Sequence, residues 1–261
     1  MRIDLHNHTT LCNHATGTME NYVKKAIELG IDTFGFSCHA PMIFEPKYRM
    51  TLEQSKIYEK NVLFLKNKYK KDIEILLAYE VDFMFNSKYI EKSILNAKVD
   101  YLIGSVHFID KWGFDNPEFI GKYKEKDIDQ IWDDYFKTIS KMVKTGYFHI
   151  VGHLDLIKIF KYLPKQDITS LALQTMRDIK KSGMVLEINS SGFRKPIKEQ
   201  YPSYDLLKLA YYLDIPITFG SDAHAIEQIG YKSTEIKNLA KEIGFKQCTI
   251  FRDRIPEKIV L

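Results

Sequence analysis

Cysteine is scarce in this chain of 261 residues: only Cys12, Cys38 and Cys248 occur. Their odd number, their irregular spacing and the lack of a C-x-x-C pair exclude a disulfide framework, so a reducing, cytoplasmic setting is expected. Met1-Arg2 runs directly into a strand-like segment with candidate ligands, which leaves no room for a signal peptide. No apolar run reaches about 18 residues, so no membrane-crossing helix and no membrane partner are expected. The glycine-rich fingerprints of dinucleotide and nucleoside triphosphate sites are missing as well. So are solenoid repeats and long Ser, Gly or Pro-rich stretches, and residues 1–261 therefore read as a single domain. Excess charge is small, +4 with a pI near 8.7. Its lysines are scattered through helices, as in Lys66-Asn67-Lys68-Tyr69-Lys70-Lys71, and form no contiguous track of the kind nucleic acid would need. Oligomeric state is left open.

What the chain does have is apolar residues for a full core, 45% of the total, and eight histidines in an uncommon arrangement. Short apolar runs predict strands at Arg2–His6, Thr33–Ser37, Glu74–Val81, Tyr101–Val106, His149–Gly152, Val185–Ile188 and Pro216–Phe219. Between and after them, helical periodicity covers Met19–Leu29, Leu52–Tyr69, Asp127–Thr145, Ile168–Ser182, Asp205–Leu213 and Ser233–Ile243. Thr18 caps the first helix; Gly30 and Gly183 suit the C-terminal ends of the first and fourth. Strands alternating with helices predict an α/β fold with a parallel sheet.

Candidate ligands recur at the C-terminal ends of those strands. His6 and His8 are two apart, on one face of the first. His14 and His39 follow, Glu80 ends the third strand, His107 and His153 end the fourth and fifth, and Asp222-Ala223-His224 follows the last. A closed barrel brings all these ends into one mouth, whereas an open sheet spreads them along an edge. Nitrogen donors with some carboxylate suit zinc, manganese or iron better than calcium or magnesium. Glu80, an acid facing an apolar mouth, is the natural bridge between two ions. Asp4 and Asp82 are weaker candidates, Asp4 as a residue that orients a ligand ring, and His149 reads as structural. The cysteines read as small buried hydrophobes, because histidines and carboxylates already fill the sites.

These segments resemble the PHP (polymerase and histidinol phosphatase) family of metal-dependent phosphoesterases, over essentially the whole chain. His6-Asn7-His8 resembles its opening His-x-His motif, and His14, His39, Glu80, His107, His153 and Asp222-Ala223-His224 match the ligand positions that follow. The resemblance implies a distorted (β/α)7 barrel whose C-terminal mouth holds three divalent ions. It places His6, His8, Glu80 and Asp222 on the first, Glu80, His107 and His153 on the second, and His14, His39 and His224 on the third. Gly152-His153-Leu154-Asp155-Leu156-Ile157-Lys158 and Glu187-Ile188-Asn189-Ser190-Ser191-Gly192-Phe193-Arg194-Lys195 resemble its histidinol-phosphate phosphatase branch. The implied reaction is hydrolysis of L-histidinol phosphate in histidine biosynthesis, by attack of metal-activated hydroxide. Glu80, Asp222 and Arg194 are the implied catalytic groups. Arg194 and Lys158 are the implied phosphate contacts, although Lys158 stands where that branch has arginine. Other phosphomonoesters, phosphotyrosine, nucleotides or nucleic acid stay open as alternatives. The inserts Met42–Met50 and Phe108–Lys126, with Trp112, Phe114, Phe119 and Tyr123, are expected to roof the pocket. Glu45, Asp110 and Asp115 are available there to a substrate amine.

Overall fold

A computed structural model describes residues 2–261. Seven parallel strands form one sheet: β1 (Ile3–Asp4), β2 (Thr33–Phe36), β3 (Glu74–Asp82), β4 (Tyr101–Ser105), β7 (Ile150–Val151), β8 (Val185–Asn189) and β9 (Ile217–Gly220), adjacent in that order. The first and last are stitched together beyond their ends. Leu5 N–H donates to the Phe219 carbonyl at 2.9 Å, Asp222 N–H to His6 at 2.7 Å and His8 N–H to Ala223 at 2.9 Å. The sheet thus curls into a nearly closed barrel, as expected.

The helices are α1 (Met19–Glu28), α2 (Leu52–Lys68), the short α3 (Lys92–Leu95), α4 (Ile128–Lys144), α5 (Ile168–Ser182), α6 (Tyr204–Tyr212) and α7 (Ser233–Ile243). Their limits follow local chemistry. The Thr18 side chain accepts from Asn21 N–H, Thr51 and Gln54 form a capping box, and Asp127 and Asp167 cap α4 and α5. Gly183 ends α5 in the left-handed region, φ 74°. Strand interiors are buried without alternation, as in a parallel sheet covered on both faces.

β1 is shorter than the expected Arg2–His6. Leu5 turns its N–H to Phe219, and the Asn7 side-chain amide takes the carbonyls of Asp4 and Gly35. Gly35 has no side chain for a steric reason: a Cβ there would lie 1.8 Å from the Tyr101 hydroxyl. That hydroxyl crosses the barrel interior to donate to the Leu5 carbonyl.

Two hairpins lie outside the expected set. One, β5 (Phe108–Ile109) with β6 (Trp112–Gly113), sits in the second insert; the other, β10 (Gln247–Arg252) with β11 (Ile255–Val260), packs near β9. The second turns on Asp253 and Arg254, both at positive φ. Asn-Gly or Asp-Gly would have advertised that turn; Asp-Arg does not.

Candidate metal centre

Each barrel strand delivers a polar side chain to the same mouth. His6, His8, Glu80 and His153 are all buried there. Glu80 stands in the middle. Its Oε2 lies 3.4 Å from His6 Nε2, 3.6 Å from His8 Nε2 and 2.9 Å from His39 Nδ1. Its Oε1 lies 2.9 Å from His153 Nε2 and 3.7 Å from His107 Nε2. One carboxylate thus faces two histidine groups, one through each oxygen. Asp222 Oδ1 approaches His8 Nε2 at 3.1 Å and His6 Nε2 at 3.9 Å. The His224 ring stacks on His8 with centroids 3.9 Å apart. His14 is exposed, its ring 4.5 Å from that of His224 and 5.4 Å from that of His39.

Among the described residues five sets of possible donor atoms lie within 4.8 Å of one another; four are His6–His8–Asp222, Glu80–His107–His153, His8–His39–His224 and Cys12–His14–His224. The first holds three of the four residues expected around one ion, without Glu80, and the second holds the three expected around another. The third expected grouping is spread over the other two sets, which share His224. Cys12 and Cys38 are buried, as expected of small hydrophobes, yet their sulfurs also lie within 4.8 Å of a His8 nitrogen.

Several rings are anchored through one nitrogen while the other faces the centre. His6 Nδ1 meets Glu187 Oε1 at 2.7 Å, His107 Nδ1 meets Asp82 Oδ1 at 2.6 Å, and His14 Nδ1 meets the Cys12 carbonyl at 2.8 Å. Such outer partners fix the ring orientation of a ligating histidine. The facing atoms His6 Nε2, His8 Nε2, His39 Nδ1, Glu80 Oε2 and His224 Nε2 are buried and make no well-aligned hydrogen bond, although some lie close to one another. Leaving that many buried polar atoms unpaired is costly, and cations would supply what they lack. The residues fit a divalent metal cluster.

Sequence reasoning missed Glu187 and undervalued Asp82. The available signal was an acid interrupting an apolar strand; in the structure Glu187 is 1% exposed, and such an acid requires a partner. It has three, since its Oε2 also accepts from His153 N–H at 2.9 Å and Asn189 Nδ2 at 3.0 Å. Gly220 makes room for it, because a Cβ there would lie 2.2 Å from Glu187 Oε1. Asp4 does not orient a ligand ring as expected. It accepts from Ser221 N–H, the Ser221 hydroxyl and Gly230 N–H, and so shapes the loop that carries Asp222. In that loop Asp222 sits at φ 53°, and His153 sits at φ 21°, so two of the converging side chains ride on strained backbone. His149 is structural, as read: its Nδ1 accepts from Leu102 N–H.

Lys158 corrects the sequence reading. It is 1% exposed and turned away from the mouth, with its ammonium 2.9 Å from Asp155 Oδ2, 2.7 Å from Glu199 Oε2 and 2.8 Å from the Gln200 carbonyl. Those contacts use its three donors, and nothing is left for a phosphate. Arg194 differs. Its Nη2 donates to the carbonyls of Ser221 and Asp222, its Nη1 is unpartnered, and it lines the cavity.

That cavity, about 500 Å³, opens over the cluster and is walled by Tyr48, Phe108, Asp115, Phe119 and Ile159 among others. Of the four aromatics expected as a roof, Phe119 lines it. Trp112, Phe114 and Tyr123 are buried instead and pack below, with Phe114 on Tyr135 and Tyr123 stacked on Tyr162. Glu45 and Asp115 face the cavity and Asp110 does not.

Electrostatics follow from crowding acids and imidazoles together. Burial pushes the Glu80 and Asp222 carboxyls up, but the surrounding histidines outweigh it and hold both well below the usual range. Burial lowers His107, yet Asp82 and Glu80 carry it up to about 10; His8 reaches about 9 through Asp222 against the same penalty. His6 is raised by Glu187, Glu80 and Asp222, again against burial. Without metal these three imidazoles hold protons at neutral pH, and ligation requires them neutral. Zinc titrated into metal-free protein at pH 7 should therefore release roughly two to three protons per cluster. Affinity should climb with pH up to about 10, where the last of these imidazoles, His107, loses its proton. A pH indicator in weakly buffered solution reads the release; uptake without proton release would contradict this electrostatic picture.

Comparison with known proteins agrees with the geometry. The model of the PHP domain matches residues 4–191, and that of a PHP-associated segment matches 207–243. A Deinococcus radiodurans protein named "Probable histidinol-phosphatase" is 35% identical over 254 residues, covering 96% of each chain. The histidinol-phosphatase of Bacillus subtilis is 28% identical, over 87% of this chain and 95% of its own. The solved structure of histidinol phosphate phosphatase from Lactococcus lactis, complexed with zinc, L-histidinol and phosphate, superposes with a TM-score of 0.83 at 23% identity, over 98% and 99% of the two chains. Matched by family model and by relatives along nearly its full length, the chain belongs to the PHP domain family.

Proposed function

We propose that this chain is a metal-dependent phosphomonoesterase that hydrolyses L-histidinol phosphate to L-histidinol and phosphate, a step of histidine biosynthesis. The observation that carries the chemistry is Glu80, whose two oxygens face two separate histidine groups beneath an open cavity. The names of the relatives, and the zinc, histidinol and phosphate in the Lactococcus lactis structure, support the substrate.

In this reading three divalent ions of zinc, manganese or iron would be held by His6, His8, His14, His39, Glu80, His107, His153, Asp222 and His224. When bound, they would polarise the phosphoryl oxygens and lower the pKa of water at the cluster. The protein does the rest. Glu187 and Asp82 hold the rings of His6 and His107 in place. Ser191 Oγ donates to Asp222 Oδ2 at 3.1 Å, which leaves Oδ1 turned toward His8. Arg194 is braced by two carbonyls on the Asp222 loop and lines the cavity, where its guanidinium would meet the phosphate as charge develops in the transition state. Phe108 and Phe119 narrow the apolar approach.

The test is steady-state hydrolysis of L-histidinol phosphate, p-nitrophenyl phosphate, phosphotyrosine and short oligonucleotides, with metal content measured on the same preparation. L-Histidinol phosphate should lead by about a hundredfold or more in kcat/KM. Equal turnover across the panel would remove the substrate assignment. Arg194→Ala should lower kcat/KM about 10- to 100-fold, the scale of a lost charged hydrogen bond. An unchanged value would exclude Arg194 as a phosphate contact.

A further inference from the structure

The cavity wall carries an acid that the fold leaves uncommitted. Four carboxylates line the cavity: Glu80, Asp222, Glu45 and Asp115. Glu80 and Asp222 belong to the histidine cluster. Glu45 sits at the start of a short helical turn in the other insert, where Arg49 donates to its backbone carbonyl and not to its carboxylate. Asp115 is half-buried, and among the described residues its carboxylate makes no hydrogen bond or ion pair.

Its position is built. The β5–β6 hairpin pairs Phe108 with Gly113 and Ile109 with Trp112, Phe114 is wholly buried, and Asn116 N–H donates back to the Gly113 carbonyl. Asp115 is thus held between a buried anchor and a closed turn. Phe114 N–H also donates to the His107 carbonyl at 3.3 Å, and Asp115 lines the cavity together with Glu80, His107 and His153.

We infer that Asp115 receives the substrate's ammonium group, carried on the carbon next to the ester-bearing carbon, and so selects 2-aminoalkyl phosphates over plain alkyl phosphates. In such an ester only O–C–C–N separates the ammonium from the scissile oxygen, so a phosphate at the cluster brings the cation to the rim. Cations at the cluster would repel that ammonium, and Glu80 and Asp222 are already engaged there. A nearby anion with no partner of its own offsets the repulsion. The imidazole of histidinol then extends outward along Phe119 and Tyr48. The inference rests on the phosphomonoesterase reading but not on the identity of the full substrate.

The experiment compares two substrate pairs in the metal-loaded enzyme and in Asp115→Asn: 2-aminoethyl phosphate with ethyl phosphate, and L-histidinol phosphate with its deamino analogue. The wild type should favour the ammonium-bearing member of each pair by about 10- to 100-fold in kcat/KM, chiefly through KM. Asp115→Asn should bring both ratios near unity, and Asp115→Glu should recover part of the preference. A ratio unchanged in Asp115→Asn, or an equal fall on both members of a pair, overturns the assignment. Turnover of the aminoethyl pair alone, with an Asp115-dependent preference, would sink the histidinol reading and leave this one standing. Turnover of L-histidinol phosphate with a ratio indifferent to Asp115 would do the reverse.

Discussion

Glu80→Gln is expected to lower kcat/KM about a thousandfold while the protein stays folded, because metal ions held at this carboxylate would supply several kcal/mol of transition-state stabilisation. Glutamine keeps the shape of the side chain and removes its charge. It also replaces one acceptor oxygen by an amide NH2, and either oxygen of Glu80 faces ring nitrogens: His6, His8 and His39 on one side, His107 and His153 on the other. Whichever way the amide turns, one histidine group loses its anionic partner. Metal content should fall with activity, while the far-ultraviolet circular dichroism stays that of the wild type, since β3 is held by its ladders to β2 and β4. Substantial activity with full metal content would mean that Glu80 is not the bridge. Excess metal should restore part of the rate if occupancy is the main loss, and little of it if the bridge itself is.

The barrel and its mouth were legible because they rest on local signals. Short apolar runs bounded by turn residues mark parallel strands, and a histidine or acid at the end of nearly every run has no packing reason to be there. His6, His8, Glu80, His107, His153, Asp222 and His224 converge as that pattern implies. What supports them was not legible, because it depends on contacts distant in sequence. Glu187 reaches His6 across 181 positions, and Arg49 meets Asp82 across 33. Lys158 was misread for the same reason. A cation just beyond a strand end says nothing about its direction, and here Asp155, one turn earlier, and Glu199, 41 residues on, turn it inward. The roof was half right: the insert does cover the mouth, but its tight hairpin buries Trp112 and leaves the exposed Phe119 at the cavity.

Stripping the metal should abolish activity and lower the melting temperature on the order of 10 °C, by an amount that depends on pH. A ligand present at a thousand times its dissociation constant stabilises by about 4 kcal/mol. In a chain of this size each kcal/mol moves the midpoint by about 2–4 °C. Protons soften the loss at neutral pH, because His6, His8 and His107 then carry positive charge beside Glu80, Asp222, Glu187 and Asp82. The sign follows from the folded values lying above the unfolded histidine value of about 6.5. Stability from these charged imidazoles is fully present below that value, and it is lost as pH rises through about 9 for His8 and about 10 for His107. Metal-loaded protein has no such dependence, since its ligands are already neutral. The gap between the two melting curves should therefore widen steadily from pH 6.5 to pH 10, read by calorimetry with and without a chelator. A gap that is constant or shrinks with pH would mean that protons do not stand in for metal at this cluster.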